Sequence, residues 1–232
     1  ATNFAAIMRI LGQEKIAMDE NGDLLLPLFG VETHWREVEP YVWRSTNGLE
    51  RMTAILKDDG SLDYVTFEPV SPIIHLTRAP WYRSLSLMTP LLAVAIGALL
   101  LTLVLWPVRA VVRGRYGKSF SLTGRDAMAH RVVRLGVVFV FAFLLAWVMA
   151  FQTLFTNLTG LGPGFDTQLR MTQFTQVLLY AGFAIAVWNL VVVWSGPRSW
   201  LAKLWSLVLL ASIGIVIWFA AANGLLSLEM SY

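Results

Sequence analysis

SLSLMTPLLAVAIGALLLTLVLWPV, residues 84–108, decides the fold, because it holds no Asp, Glu, Lys, Arg or His over its whole length. An α-helix needs about 20 predominantly apolar residues to cross the hydrocarbon core of a bilayer. Three more charge-free runs follow: Leu135–Phe165, Met171–Ser195 and Leu204–Leu228. Together they predict a four-span transmembrane helical domain over residues 84–232, with spans at about 84–107, 135–156, 173–195 and 204–226. Residues 1–83 fall outside these runs and read as a separate, β-rich domain.

The averages of the 232-residue chain, 56 % hydrophobic and 14 % charged, blend these two parts. Residues 1–83 carry eight Lys/Arg and twelve Asp/Glu, a net charge of −4; residues 84–232 carry ten and three, a net of +7, and the two make up the overall +3. The basic residues of the second half lie between hydrophobic spans, where membrane topology accounts for them, so no nucleic-acid partner is expected. The chain has no cysteine. Disulfides and thiolate metal sites are excluded, and the redox compartment stays open.

Charge also sets the expected orientation. The connection Arg109–Arg134 holds Arg109, Arg113, Arg115, Lys118, Arg125, Arg131 and Arg134 against the single acid Asp126. The next, near Asn157–Gln173, holds Asp166 and Arg170; the third, around Gly196–Lys203, holds Arg198 and Lys203 and no acid. Positive residues accumulate on the cytoplasmic side. The first and third connections are therefore expected inside, and both ends of the chain outside. Trp81, Tyr82, Trp106, Trp194 and Trp200 stand where aromatic rings favour the membrane interface, and Trp106-Pro107 is expected to close the first span. Gln152, Gln176 and Asn189 are the polar residues inside the spans, and interhelical hydrogen bonds or interfacial positions explain them most simply. Pumps and transporters place ionisable groups at membrane depth. These spans have none, which fits an anchor in the lipid bilayer.

In the first domain, a helical lead-in over 4–11 precedes about five strands joined by tight turns. Asn21-Gly22-Asp23, Thr46-Asn47-Gly48 and Asp58-Asp59-Gly60 are the turn signals. They separate Leu24–Phe29, an alternating run Thr33–Arg44, Arg51–Lys57, Ser61–Glu68 and Ile73–Thr77. The expected fold class is an α+β membrane protein: a small antiparallel β-domain, as a meander or half-barrel, followed by a four-helix transmembrane bundle. Alternation places Trp43 and Tyr64 on the buried face.

A search for chemistry finds no catalytic, cofactor-binding or metal-ligating constellation. No Lys has a Ser three residues before it, and Gly-x-Ser-x-Gly is absent. Ser45-Thr46-Asn47 lies in an expected hairpin turn. His34, His75 and His130 lack the spacing of a metal motif, and Asp19-Glu20 and Asp58-Asp59 sit beside turns where Asp caps backbone N–H groups. The first residues, Ala1 to Met8, lack the basic start and long apolar core of a signal peptide. An extracytoplasmic N-terminus must be exported by something else, so the chain is expected to be the C-terminal piece of a longer protein.

Tyr41-Val-Trp-Arg44, Lys57-Asp-Asp-Gly60, Phe67-Glu-Pro69 and Arg78-Ala-Pro-Trp-Tyr82 lead into a span ending Leu105-Trp-Pro107 and then into Arg113-Gly-Arg-Tyr-Gly117. This order resembles the C-terminal region of bacterial membrane-anchored serine hydrolases of the β-lactamase-related (class C, penicillin-binding-protein-like) family. The resemblance implies an exported catalytic domain upstream in the same polypeptide, acting on an amide or ester. Its Ser-x-x-Lys and Tyr would lie in that domain, and nothing here matches them. The function expected is thus a membrane anchor and accessory β-domain of a serine hydrolase. A self-contained membrane sensor or scaffold is the alternative, and a small transporter subunit the weaker one.

Overall fold

The computed structural model of the chain describes residues 4–28, 31–68, 75–117, 122–156 and 162–228. Contacts divide the chain into two compact units, Arg9–Leu85 and Ala1–Met8 with Ser86–Tyr232. The architecture is α+β: a seven-stranded antiparallel sheet, then four helical stretches long and apolar enough to cross a membrane.

A single turn of 3-10 helix (Phe4–Ile7) and a short α1 (Met8–Leu11) precede the sheet. Its strands are β1 (Ala17–Met18), β2 (Leu24–Leu28), β3 (Val31–Glu39), β4 (Val42–Ser45), β5 (Arg51–Leu56), β6 (Leu62–Phe67) and β7 (His75–Leu76), paired in that order as a meander. Seven strands replace the five expected, for two reasons. The run Thr33–Arg44 is two strands, because the chain reverses at Pro40-Tyr41, where Tyr41 adopts a left-handed φ of 66°. Residues before Asn21 add a short edge strand, too brief to leave an alternation signal. The turns at Asn21-Gly22, Asn47-Gly48 and Asp58-Asp59-Gly60 fall where the sequence places them; Gly60, at φ +79°, takes a conformation that costs a side-chain-bearing residue free energy. Of the strand expected at Ile73–Thr77, Ile73 and Ile74 lie outside the described residues, as does Phe29.

One face of the sheet carries the core. Leu26, Trp35, Met52, Val65 and Phe67 are buried together, with Leu24, Trp43, Ala54 and Leu76 packed against them. Cross-strand pairs Leu24–Trp35, Trp43–Met52, Met52–Phe67 and Val65–Leu76 put these side chains on the same side. Trp35 and Phe67 sit three strands apart, roughly 14 Å in a flat sheet at about 4.8 Å per strand. Their ring centroids are only 5.9 Å apart, so the sheet curls over this face. Tyr64 lies on the opposite face, where its ring meets His75 edge-on at 5.5 Å. The buried phase of β6 is Val65 and Phe67, and Trp43 is half-buried. Both phases of β6 are apolar enough to be the inner one, so alternation by itself gave the wrong face for Tyr64.

The β1–β2 hairpin is tied by carboxylates. Asp19 accepts the backbone N–H groups of Asn21 and Asp23, both at 2.8 Å, and lies 3.2 Å from His34 Nδ1. Buried Asp23 takes a bidentate contact from Arg36, at 3.0 and 2.8 Å. Desolvation alone would raise the Asp19 pKa; the N–H groups of Asp23 and Asn21 and the His34 ring outweigh it and hold the carboxyl below its ordinary value of 3.8. A depressed folded pKa gives stability that is present above the unfolded value and is lost as pH falls through the folded one. The difference in melting temperature between the wild-type chain and Asp19→Asn, in detergent micelles, should therefore be present at neutral pH and shrink as pH falls below about 4. A difference that stays constant with pH would remove the charge from this account.

In the helical unit, α2 spans Leu85–Arg115, α3 Gly124–Thr156, α4 Pro163–Phe174, α5 Gln176–Ser195 and α6 Trp200–Ala222. Three helices extend beyond the apolar runs read from the sequence. α2 continues through Pro107, the residue expected to close the first span, for two further turns. Proline removes one backbone N–H bond, and Val108 to Arg115 still sustain the helix, which stops where Gly117 takes φ 60°. The basic connection is thereby reduced to a short link: Arg109, Arg113 and Arg115 end α2, while Arg125, Arg131 and Arg134 lie in α3. Lys118 lies outside the described residues. The connection expected from Asn157 to Gln173 is helical from Pro163 onward, with proline at a helix start where it is tolerated.

The core of this unit follows a three-four spacing. Val133, Val137, Val140, Phe143 and Trp147 of α3 meet Leu179 and Ala186 of α5 and Leu209, Ile213, Val216 and Ala220 of α6. Small residues set the closest approach, as lipid-embedded packing favours: a Cβ added at Gly182 would stand 2.8 Å from the Gly136 carbonyl oxygen. The outer faces are apolar as well. Val94 and Val104 of α2, Leu145 and Val148 of α3, Val191 of α5 and Leu201 of α6 are exposed, which fits lipid contact and would be unstable against water.

Candidate functional site

α2 stands at the margin of its unit. Of its most apolar stretch 11 % is buried, against 39 % for α3, and only Met88, Ala95 and Leu99 are inaccessible. Leu99 and Leu103 join it to the apolar core of the unit, and polar side chains reach it as well. Asn223 Nδ2 lies 4.0 Å from Met88 Sδ, Trp205 Nε1 donates to Thr102 Oγ1 at 3.2 Å, and the Arg134 guanidinium sits 5.0 Å from the centre of the Trp106 ring. From Leu101 to Arg109, α2 leaves a cavity of about 680 Å³ against α3, α5 and α6.

The cavity is basic at one end and mainly apolar elsewhere, with Thr102 and Ser206 also in its lining. Arg109 of α2, His130 and Arg134 of α3, and Arg198 just before α6 line one end; Leu101, Leu105, Leu201 and Leu204 are among the residues lining the rest. Arg134 is 8 % exposed. It donates to His130 Nε2 at 2.6 Å, one helical turn away, and its guanidinium lies over the Trp106 ring. Among the described residues no acid forms a salt bridge with Arg109, Arg134 or Arg198. The nearby carboxylate, Asp126, turns toward the α5–α6 connection, where a Cβ at Gly196 would stand 3.5 Å from its Oδ1. Asn189 of α5 also lines the cavity; it is 5 % exposed, and its amide has no hydrogen-bond partner among the described residues. Of the two explanations expected for Asn189, an interhelical hydrogen bond or an interfacial position, the hydrogen bond is not formed among the described residues. Gln152 is exposed, and Gln176 opens α5, as an interfacial residue would.

Of the basic residues singled out in the sequence, Arg109 and Arg134 come together at this cavity; Arg113, Arg115, Arg125 and Arg131 do not line it. Arg198 and Asn189 complete it, and sequence reasoning gave neither a site role. Helical spacing from Asn189 to Ser195, about 9 Å of rise, was the available signal, but it does not say which neighbour the amide faces. The other candidates have local roles. Ser45 Oγ accepts the Asn47 N–H at 3.3 Å within its turn. His34 meets Asp19 and His75 meets Tyr64. No group of three or more His, Asp or Glu side chains among the described residues is placed to hold a metal ion.

Fold and site define a multi-pass membrane protein with a small antiparallel sheet unit and a basic cavity among its helices. No family model, curated protein or solved structure matches the chain.

Proposed function

We propose that the chain is the membrane anchor and accessory β-domain of an exported serine hydrolase of the β-lactamase-related type, held in a bacterial inner membrane. The observation that carries the anchoring part is the segregation of charge along the helices. Arg109, Arg113, Arg115, Arg125, Arg131, Arg134, Arg198 and Lys203 gather at one end against Asp126; the other end of α3 to α5 has Asp166 and Arg170. Under the positive-inside bias that end is cytoplasmic, and four crossings bring the sheet unit and the C-terminal end to the outer side. The hydrolase part rests on the resemblance of motif order from Tyr41 to Gly117. In this reading a catalytic domain of the same polypeptide is tethered to the membrane on its outer side.

Two measurements test the two parts. Alkaline phosphatase fused after Lys118 should be inactive, and periplasmic activity there would reverse the topology. The native protein in its own membranes should be a species far heavier than 25.9 kDa that takes up one fluorophosphonate label. An unlabelled species near that mass would make the chain a self-contained sensor or scaffold.

A further inference from the structure

We propose that the cavity between α2 and the α3–α5–α6 group is a binding site for one anionic phospholipid, with its headgroup phosphate on Arg109, Arg134 and Arg198 and its glycerol-ester region at Asn189. Three cations lining one cavity with no salt-bridging acid among the described residues are costly until an anion joins them. The planar guanidinium matches a phosphate through paired N–H donors. Arg134 is already positioned for this by its stacking on Trp106 and its bond to His130, so little side-chain entropy remains to be lost on binding.

Two features point to a lipid and away from a soluble anion. The cavity extends from the guanidinium end along an apolar wall whose Leu101, Leu201 and Leu204 are exposed on the outer face of the unit, where acyl chains lie. Asn189, buried and without a hydrogen-bond partner among the described residues, stands about 9 Å inside the end of α5. A phosphate at the mouth would be too shallow to satisfy it, whereas ester oxygens below a headgroup reach that depth. The volume, about 680 Å³, suits a headgroup with the first part of a chain. Basic pockets between membrane helices are suited to this kind of ligand.

Native mass spectrometry of the full chain released from detergent tests the proposal, with phosphatidylglycerol, phosphatidylcholine and inorganic phosphate titrated in turn. One phosphatidylglycerol should be retained in preference to phosphatidylcholine. The double variant Arg109→Gln/Arg198→Gln should lower its retention about tenfold or more, while Arg115→Gln/Arg125→Gln, equal in charge but outside the cavity, should leave it unchanged. Asn189→Leu, which keeps every charge, should also weaken retention by removing the amide that meets the ester oxygens. Equal losses in the two double variants would reduce the effect to general surface charge and overturn the proposal. So would equal retention of the two lipids, an Asn189→Leu protein that binds as the wild type does, or displacement of the lipid by millimolar phosphate, which would mark a site for a soluble anion. The inference needs only that the helices are membrane-embedded. Fluorophosphonate labelling bears on the hydrolase reading and lipid retention on this one, so either can fail alone.

Discussion

Trp35→Ala should destabilise the sheet unit by about 3–5 kcal/mol, the range for removing a large buried aromatic ring. Trp35 is fully buried at the centre of the curled face, opposite Leu24 in the register and 5.9 Å from the Phe67 ring. Among the described residues five side chains make up the buried part of this core, so little can collapse into the space left behind. The indole N–H has no acceptor among the described residues. A buried donor without a partner costs about 1–3 kcal/mol. Trp35→Phe should for that reason cost clearly less than its smaller volume suggests, since it keeps the ring contact and removes the orphan donor. Limited proteolysis within residues 9–85 of the full chain reads both variants. If Trp35→Phe is as susceptible as Trp35→Ala, the retained ring contact and the removed donor do not offset the lost volume, and this account of Trp35 fails. Tyr64→Ala, on the opposite face, should fall well short of either.

Gly182→Leu should separate α3 from α5. A Cβ at position 182 would stand 2.8 Å from the Gly136 carbonyl oxygen and 3.1 Å from Val140 Cγ2. A backbone oxygen cannot swing aside as a side-chain tip can, so the helices must move apart. Overpacking of this kind costs about 1–3 kcal/mol for a small addition and more for a branched side chain. Gly182→Ala should already lower the midpoint of unfolding in a mild-to-denaturing detergent titration, and Gly182→Leu should lower it further. Gly136→Ala meets Ile185 Cγ2 at 3.0 Å and Cβ at 3.2 Å, with the Gly182 carbonyl oxygen no closer than 3.4 Å, and should be milder. The order Leu worse than Ala at 182, and 182 worse than 136, is the test; an unchanged midpoint for Gly182→Leu would refute the close crossing.

The four membrane helices were legible because the requirement that reveals them is local: about 20 consecutive apolar residues, whatever lies elsewhere in the chain. The hairpin turns were legible for a similar reason, since Asn-Gly and Asp-Gly carry their backbone preference with them. Helix ends were less so. Between Val108 and Arg115 only Gly114 weakens a helix, and a charged surface segment is as compatible with a helical extension as with a loop. The face of β6 was ambiguous because Leu62, Tyr64 and Thr66 compete with Val65 and Phe67 as an inner phase, and only the partner strands decide.

The sequence by itself determined the two-part plan, the number of membrane helices and the asymmetry of charge between their ends, because each follows from the composition of a contiguous stretch. Tertiary structure alone decided that Trp35 and Phe67 curl the sheet, that Gly136 and Gly182 bring α3 and α5 together, and that Arg109, Arg134, Arg198 and Asn189 share one cavity. Those relations join residues dozens of positions apart. They depend on which side chains fill the space between elements, a property that no single stretch of sequence contains.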